Sequence, residues 1–327
     1  MCRSGRSTNE PVRRAAGPDG DAMTKRVTIV EVGPRDGLQN EAARIATADK
    51  VAFIERLAAA GLPVVEVSSF VRPDRVPQLA DAREVFAALA AEQASGLASA
   101  SGTRYTALVP NLTGLREAIA AGLREVAIFA AASEGFSQRN TNRSIAQSLA
   151  AFAEVCAAAR AAGVRVRGYL STAFGCPFDG AVDPRRVGEL VRQLLDLGVY
   201  EVAISDTIGV AHPGQVPVVV EAAFGQGASV GQLALHFHDT RGQALANVMA
   251  ALPLGVRTFD ASAGGLGGCP FAPGATGNLA TEDLVYLLDG LGYETGVSLS
   301  AVLDASAFIE QKLDHPLPSR VYRASRK

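Results

Sequence analysis

Paired cysteines, long apolar runs and basic clusters are all missing from this 327-residue chain. Its four cysteines, Cys2, Cys156, Cys176 and Cys269, are widely spaced and form no C-x-x-C pair, so the sequence predicts reduced thiols without a disulfide framework. No apolar run reaches the roughly 18 residues that a membrane-spanning helix needs. The net charge is −2, and no basic stripe with interleaved aromatic residues occurs, which argues against nucleic acid as a partner.

Residues 1–23 differ from the rest of the chain, because they are polar, contain glycine and proline and show no periodicity. This composition predicts a disordered extension ahead of one catalytic domain over residues 24–327. Its arginines would suit a transit peptide, whereas Glu10, Asp19 and Asp21 argue against one. Together with Ala-rich, Arg-containing helices, this favours a bacterial-type cytoplasmic protein over a mitochondrial one.

Short β-rich runs alternate with Ala- and Leu-rich segments of helical spacing. The predicted strands are 27–32, 63–70, 104–110, 124–130, 164–171, 200–207, 233–239 and 257–262. Eight such units over about 240 residues predict a closed (β/α)8 TIM barrel with a parallel sheet. An open doubly wound sheet is the competitor, but it would want a Gly-rich dinucleotide fingerprint after the first strand, and "EVGPRDGLQ" is not one.

Helix boundaries are marked by capping residues. One helix is predicted to open at a capping Thr47 and to end at Gly61, and a second to run from Ser144 to Gly163. A third has Asp183 as its cap with proline at its first position. Residues 298–313 predict an extra C-terminal helix packed on the barrel.

Polar side chains collect at the predicted carboxyl ends of the strands, where barrel enzymes place their sites. His236 and His238 are two residues apart in strand seven, so they share the interior face at about 6.6 Å along the strand. Two imidazoles there either bind one ion or each hydrogen-bond a neighbour, and the spacing alone favours neither. Asp36, delivered from strand one, would complete a two-His-one-carboxylate set that leaves positions open for substrate oxygen.

Two further carboxylates, Glu66 and Asp206, are predicted to face the same interior. A buried carboxylate needs a charge partner, and Arg35 is the obvious one. These residues therefore form either part of the site or a structural ion-pair network beneath it. Asp36 alone is weak support for a site, because Asp-Gly in a loop usually marks a turn.

The loop 264–278 carries six glycines, which indicates mobility or a close backbone approach. Cys269 in that loop is not core filler, and it is a candidate proton donor, redox-sensitive thiol or nucleophile. Cys156 is predicted to be helix core, and Cys176 lies at a strand end without an evident partner.

Four segments resemble a known family: "VEVGPRDGLQNE", "SDTIGVAHPG", "LHFHDTRGQALAN" and "GGLGGCPFAPGATGNLATEDLVYLL". They are similar to the signature blocks of 3-hydroxy-3-methylglutaryl-CoA lyases, which belong to the barrel metallolyases together with isopropylmalate and homocitrate synthases. The likeness runs from about Val27 to about Leu313. The last block is the one that points to the lyases rather than to the wider superfamily.

The resemblance implies cleavage of 3-hydroxy-3-methylglutaryl-CoA to acetyl-CoA and acetoacetate, a step of leucine breakdown, with one Mg²⁺ or Mn²⁺. The implied metal ligands are Asp36, His236, His238 and Asn278. Arg35 would stabilise the enolate of the departing acetyl-CoA, and Cys269 would assist proton transfer from its loop. Glu66 and Asp206 would be site carboxylates, and Asp36 or His236 would move the hydroxyl proton. The implied acyl-pocket residues are Arg35, Gln39, Ser69, Tyr169 and Thr207.

The sequence departs from the family pattern in two places. Phe271 stands where the family has tyrosine, and Ala42 stands where we expect a lysine that contacts the CoA phosphates. Candidate substitutes for that lysine are Arg72, Arg139 and Arg143.

Three other functions stay open on the sequence. A lyase for a bulkier 3-hydroxyglutaryl-CoA, such as the isohexenyl compound, would differ in pocket size, for which Phe174 and Phe271 are the side chains to inspect. A Claisen-type synthase usually adds a C-terminal domain, and this chain ends about 65 residues after strand eight. A binding module without activity would bind metal but turn over nothing. We take a homodimer as the default assembly.

Overall fold

The computed structural model describes residues 25–95, 102–268 and 277–326, so the extension predicted to be disordered lies outside the described residues. Eight parallel strands close into a barrel in chain order, which confirms the predicted (β/α)8 fold. The strands are β1 (Thr28–Glu31), β2 (Val64–Ser69), β3 (Arg104–Leu108), β4 (Glu125–Ala131), β5 (Arg165–Ser171), β6 (Glu201–Asp206), β7 (Leu233–Phe237) and β8 (Thr258–Ala261). Pairing of β1 with β8, from Thr28 opposite Thr258 onward, closes the barrel.

Helices surround this barrel. Those described are α1 (Thr47–Ala59), α2 (Ala82–Ser95), α3 (Leu112–Ala120), α4 (Glu134–Thr141), α5 (Ile145–Ala161), α6 (Pro184–Asp196), α7 (Gln215–Gly225), α8 (Ala244–Ala251), α9 (Thr281–Gly290), α10 (Leu299–Glu310) and α11 (Arg320–Ser325). The predicted extra C-terminal helix is α10, and the short helices α4 and α11 were not predicted because neither shows an apolar period. Within the described ranges, no helix is both long and apolar enough to cross a bilayer.

The predicted cap Asp183 is confirmed, the predicted cap Thr47 is wrong, and Ser144, predicted as the start of a helix, is its cap. Ser144 caps α5 in a reciprocal capping box with Gln147, and Asp183 accepts a 2.9 Å bond from the backbone N–H of Arg185 at the start of α6. Thr47, however, is the first residue of α1 and not its cap. Its hydroxyl donates to Asp81 over 2.8 Å, so it is not available to the helix terminus.

The hydrophobic core lies mainly between the strands and the helices, and the interior of the barrel is different. Barrel interiors are usually filled by bulky branched side chains. Here Ala127, Ala203 and Ala234 are fully buried on the interior faces of β4, β6 and β7. Their small volume leaves room for the long polar side chains of β5, Arg167 and Tyr169, which are also buried.

Candidate metal centre and active site

A wide helical turn after β1 carries the first two site residues. The backbone N–H groups of Asp36 and Gly37 both bond the carbonyl of Val32, at 2.7 and 3.1 Å, so the turn is one residue wider than an α-helical one. Such turns occur frequently at functional sites. A Cβ on Gly37 would lie 2.9 Å from Leu266, which shows how closely the turn approaches the loop after β8.

Asp36, His236 and His238 meet at the mouth of the barrel. One ligand atom from each lies within 4.8 Å of the other two, and the two imidazole ring centres are 5.2 Å apart. Both histidines are buried, on and just beyond β7, as the two-residue spacing predicts. The structure therefore forms the predicted two-His-one-carboxylate set, whose mixed nitrogen and oxygen donors suit a divalent metal.

Asn278 fits the same ion, although it follows the loop and not a strand. Its amide N–H groups donate to Oδ2 of Asp36 and to the carbonyl of Leu266, both over 3.0 Å. Its Oδ1 is buried and has no hydrogen-bond partner among the described residues. Unpaired buried oxygens are costly, and a cation next to Asp36 would satisfy this one.

The local electrostatics keep these groups ready to bind a cation. Burial alone would raise the pKa of Asp36, but Arg35 and the two histidines outweigh it and lower the pKa to about 2. Burial and the neighbouring His236 lower the pKa of His238 to about 4. At neutral pH the site thus holds a carboxylate and a neutral His238 imidazole, the protonation states that metal ligands require.

Arg35 lies against this cluster and is itself buried. Its guanidinium donates to Asp36 on one side and to Glu66 on the other. The hydroxyl of Tyr169 donates to the second oxygen of Glu66 over 3.2 Å. Burial raises the pKa of Glu66, and Arg35 opposes that shift. Arg35, Glu66 and Tyr169, all predicted as site residues, therefore form one connected group.

Asp206 does not join that group, contrary to the expectation that Arg35 would be its partner. Its two oxygens accept the backbone N–H groups of Val210 and Ala211, at 2.9 and 3.0 Å, and so fold the loop after β6. Burial raises its pKa to about 6. Backbone amides replace the charge partner that sequence reasoning demanded, because the chain turns back immediately after the strand.

The remaining predicted pocket residues lie around the mouth. Ser69 donates to the carbonyl of Leu108 over 3.2 Å, and the hydroxyl of Thr207 accepts the N–H of Thr172 over 2.8 Å. Gln39 is partly buried just after the wide turn. The predicted roles of Cys269 and Phe271 fall on residues 269–276, which lie outside the described residues.

Two further predictions concern the buried side chains of Cys156 and Phe174. Cys156 is buried in α5, where burial raises its pKa to about 11, as expected of a core thiol. Phe174 packs on Phe237 at 5.7 Å between ring centres, within the core between strands and helices. Its part in setting the size of the acyl pocket stays a prediction.

Sequence reasoning missed Asp260 and Arg167. Asp260 on β8 lies 3.1 Å from Nδ1 of His236, and its carboxylate also receives both terminal nitrogens of Arg167. The available signal was strand alternation, since Arg167 is two residues before Tyr169 on β5 and so shares its interior face.

Glu31 at the end of β1 connects two segments that carry or adjoin the site. It accepts the N–H groups of Gly33 and Ala263, each over 2.8 Å, and the hydroxyl of Thr281 over 2.6 Å. Burial raises its pKa to about 7. One carboxylate thus joins the turn that carries Asp36 to the segment after β8.

The carboxylates paired with Arg35 and Arg167, two groups of ion pairs that the hydroxyl of Tyr169 connects, outnumber the two guanidinium groups. Two guanidinium groups and four carboxylates belong to the connected network, which gives it a formal charge of −2. The carboxylates are Asp36, Glu66, Glu201 and Asp260. A divalent cation at the Asp36 cluster would neutralise it.

A parallel barrel with histidine, carboxylate and amide groups beside a buried arginine at its carboxyl-end mouth defines a barrel enzyme with a candidate metal centre. The sequence model of the HMGL-like family matches residues 26–309 of this chain. The chain belongs to the HMGL-like family.

Named relatives agree with that assignment. The chain is 51% identical over 303 residues to bovine mitochondrial hydroxymethylglutaryl-CoA lyase, with 93% of this chain and 90% of the relative covered. It is also 51% identical to a Pseudomonas aeruginosa lyase named for both 3-hydroxy-3-isohexenylglutaryl-CoA and hydroxymethylglutaryl-CoA, covering 92% and 98%. The crystal structure of a P. aeruginosa hydroxymethylglutaryl-CoA lyase superimposes with a TM-score of 0.87 at 51% identity, covering 92% of this chain and 97% of that one.

Proposed function

We propose that this protein is a divalent-metal-dependent carbon–carbon lyase that cleaves 3-hydroxy-3-methylglutaryl-CoA to acetyl-CoA and acetoacetate. The observation that carries the proposal is the Asp36–His236–His238 cluster with Arg35 bonded to its carboxylate. Metal ligands and a fixed cation at one place suit the cleavage of a β-hydroxy thioester, in which an alkoxide and then an enolate develop.

The two halves of the site divide this chemistry. A cation bound by Asp36, His236, His238 and Asn278 would lower the pKa of the substrate's tertiary hydroxyl. Arg35 stabilises the enolate oxygen as the C–C bond breaks and its electron pair moves onto the thioester. Glu66, which accepts the hydroxyl of Tyr169, holds the Arg35 guanidinium on the other side, so its position is fixed before substrate binds.

Proton transfer needs a base for the hydroxyl and an acid for the enolate carbon. Asp36 and His236 are our candidates for the base, and His236 could take the proton only on a ring nitrogen that is not bonded to the metal at that moment. Asp260 beside His236 would stabilise the imidazolium that results. Cys269 remains our candidate for the proton transfer that converts the enolate to acetyl-CoA.

The experiment is turnover of 3-hydroxy-3-methylglutaryl-CoA by the purified protein, followed as acetoacetate release. We expect release with Mg²⁺ or Mn²⁺ and loss of release after treatment with a chelator. A metal-bound protein that releases no acetoacetate contradicts this substrate, and longer 3-hydroxyglutaryl-CoAs are then tested before the inactive binding module is accepted.

A second substrate is supported by the relative from P. aeruginosa, whose name includes the isohexenyl compound. The same bond is broken in both compounds, so only the acyl pocket distinguishes them. The ratio of the two kcat/KM values, measured on one preparation, decides which substrate this chain prefers. A solved relative from Acinetobacter baumannii, 38% identical with a TM-score of 0.86, is described in complex with coenzyme A and 3-methylmalate, which supports an acyl-CoA substrate here.

The finer assignments belong to the same proposal. We propose Mg²⁺ or Mn²⁺ as the ion, a homodimer as the assembly, leucine breakdown as the setting and the bacterial cytoplasm as the compartment. Curated relatives carry both mitochondrial and cytoplasmic names. Metal analysis of the purified protein and its mass in solution test the first two directly.

A further inference from the structure

Arg167 is a large charged side chain held inside the barrel without contact with solvent. It lies on β5, is 2% exposed and stands in register with Ala127 on β4. The small interior side chains Ala127 and Ala203 leave the space that its guanidinium fills. Burial of a charge at this depth is costly unless every donor finds a partner.

The guanidinium of Arg167 has partners in three directions. Its Nε donates to Glu201 over 2.7 Å, at the amino-terminal end of β6. Its two terminal nitrogens bond the two oxygens of Asp260 at 3.2 and 2.7 Å. One of those nitrogens also donates to the hydroxyl of Tyr169 over 3.0 Å.

Two of these directions lead to the two halves of the proposed site. Asp260 reaches Nδ1 of His236 at 3.1 Å, and His236 belongs to the metal cluster. Tyr169 donates to Glu66, which binds the guanidinium of Arg35. Arg167 bonds neither the metal cluster nor Arg35 directly, but only Asp260 stands between it and His236, and only Tyr169 and Glu66 stand between it and Arg35.

We propose that Arg167 is a positioning residue that sets both halves of the site at once. Through Asp260 it holds His236 with its proton on Nδ1, so that Nε2 is left to bind metal. Through Tyr169 it orients Glu66 and thereby Arg35. The inference deepens the proposed function and rests on it for the Arg35 half, whereas the metal half can be tested without any substrate.

Lysine cannot take over this role although it keeps the charge. A guanidinium is a rigid planar fork that bonds a carboxylate through two parallel N–H groups and still offers further donors. An ammonium group on a flexible stem can satisfy Asp260 or Tyr169, but it does not fix the angle between them. Outer partners of metal-binding histidines typically change metal affinity or activity by about 10- to 100-fold when altered.

The experiment compares Arg167→Lys, Asp260→Asn and Tyr169→Phe with the unaltered protein. Mn²⁺ affinity is measured by calorimetry on chelator-treated protein, and kcat is measured on 3-hydroxy-3-methylglutaryl-CoA at saturating metal. For Arg167→Lys we expect Mn²⁺ affinity to fall by roughly 10- to 100-fold and kcat to fall by about tenfold or more. Asp260→Asn should reproduce the loss of affinity, whereas Tyr169→Phe should lower kcat and leave affinity within about twofold.

A third readout follows the histidine itself. In metal-free protein labelled with ¹⁵N at histidine, the two ring-nitrogen shifts of His236 report which nitrogen carries the proton. We expect one protonated and one unprotonated nitrogen in the unaltered protein and averaged shifts in Arg167→Lys. A barrel that is merely less stable would not move these shifts.

Arg104→Lys is the matched control. Like Arg167, Arg104 lies on a strand, β3, and pairs with a buried carboxylate, Glu125. Its ion pair, however, is at the amino-terminal end of the barrel, away from the site. It should leave Mn²⁺ affinity, kcat and the His236 shifts unchanged. If Arg167→Lys does not fold, Glu201→Gln loosens the guanidinium from its third side and should give smaller losses in the same readouts.

The proposal is overturned if a folded Arg167→Lys, or failing that Glu201→Gln, retains both Mn²⁺ affinity and kcat. Failure of the proposed function looks different, because the unaltered protein would then bind Mn²⁺ but release no acetoacetate. The affinity and histidine measurements would still decide the metal half in that case.

Discussion

The side-chain amide of Asn278 donates to Oδ2 of Asp36 over 3.0 Å, although 242 positions separate the two residues. The contact joins the turn after β1 to the segment that follows β8, across the seam where the barrel closes. A backbone bridge between Asn278 and His238 adds β7 to the same point. Three parts of the chain thus meet at Asn278, whose side chain bonds the Asp36 carboxylate, whose backbone pairs with His238 and whose Oδ1 is buried without a partner among the described residues.

The first prediction concerns that oxygen. We expect Asn278→Ala to weaken Mn²⁺ binding by roughly 10- to 100-fold, because one ligand and the bond that orients Asp36 are lost together. Calorimetry on chelator-treated protein measures the change. Asn247→Ala is the control, since Asn247 is equally buried and also has an unpaired Oδ1 among the described residues, but lies on α8. Equal losses of Mn²⁺ affinity in both variants would show that Asn278 acts only through stability.

The second prediction uses metal binding as a measure of stability. A ligand that binds only the folded state at 100 times its Kd raises the free energy of unfolding by about 2.7 kcal/mol. We therefore expect Mn²⁺ to raise the urea midpoint of the protein, and EDTA to reverse the rise. Asp36→Asn should abolish the effect, because it removes the charged ligand from the cluster and leaves only neutral donors. A rise of the same size in Asp36→Asn would place the ion elsewhere.

The barrel itself follows from the sequence, because strand and helix periods alternate strictly and parallel strands with short connections have few ways to pair. His236 and His238 could be placed on one interior face for the same reason. Asp36 could be placed near the two histidines only because barrel closure puts β1 beside β8. The fold therefore had to be predicted before the site. The resemblance to a known family supplied Asn278, which no strand position would have indicated.

What the sequence did not reveal is how buried charges choose their partners. Asp206 accepts hydrogen bonds from backbone amides and does not pair with Arg35, because the loop after β6 folds back over the carboxylate. Arg167 and Asp260, 93 positions apart in the chain, form an ion pair across the barrel interior. That pairing depends on small side chains at Ala127 and Ala203, whose effect on interior volume is visible only once the register is known.

The third prediction separates charge from geometry at Arg35. We expect Arg35→Lys to lower kcat by about 10²- to 10³-fold, as for loss of an oxyanion donor, because an ammonium cannot bond Asp36, Glu66 and the enolate oxygen together. Steady-state kinetics at saturating Mn²⁺ give kcat and KM separately. Arg165→Lys serves as the comparison, since Arg165 also pairs with a buried carboxylate, Glu125 at 3.4 Å, but is exposed and lies at the start of β5, away from the site. Retention of full turnover in Arg35→Lys would remove Arg35 from the reaction.

The last prediction concerns pH and a carboxyl group outside the reacting centre. Glu282 in α9 is fully buried, accepts the N–H of Gly264 at 2.9 Å and the hydroxyl of Ser306, and has a pKa raised to about 8 by burial, with Glu31 adding to the shift. The folded state therefore keeps a proton that the unfolded state releases near pH 4.5. Where the folded state binds more protons than the unfolded state, stability falls as pH rises, so the contribution of Glu282 to the free energy of unfolding should decrease from about pH 4.5 to about pH 8.

Glu282→Gln removes this titration and retains an acceptor for Gly264. Each unit of pKa shift corresponds to about 1.4 kcal/mol, so the variant should lose stability less steeply than the unaltered protein and be the more stable of the two at pH 8. Urea unfolding at several pH values between 5 and 8.5 measures both slopes. Asp74→Asn, at an exposed ion pair with Arg72, should leave the slope as it is, because exposed pairs contribute little. Parallel curves for Glu282→Gln and the unaltered protein would mean that Glu282 is ionised in the folded state throughout this range, and that burial is offset there by its hydrogen bonds.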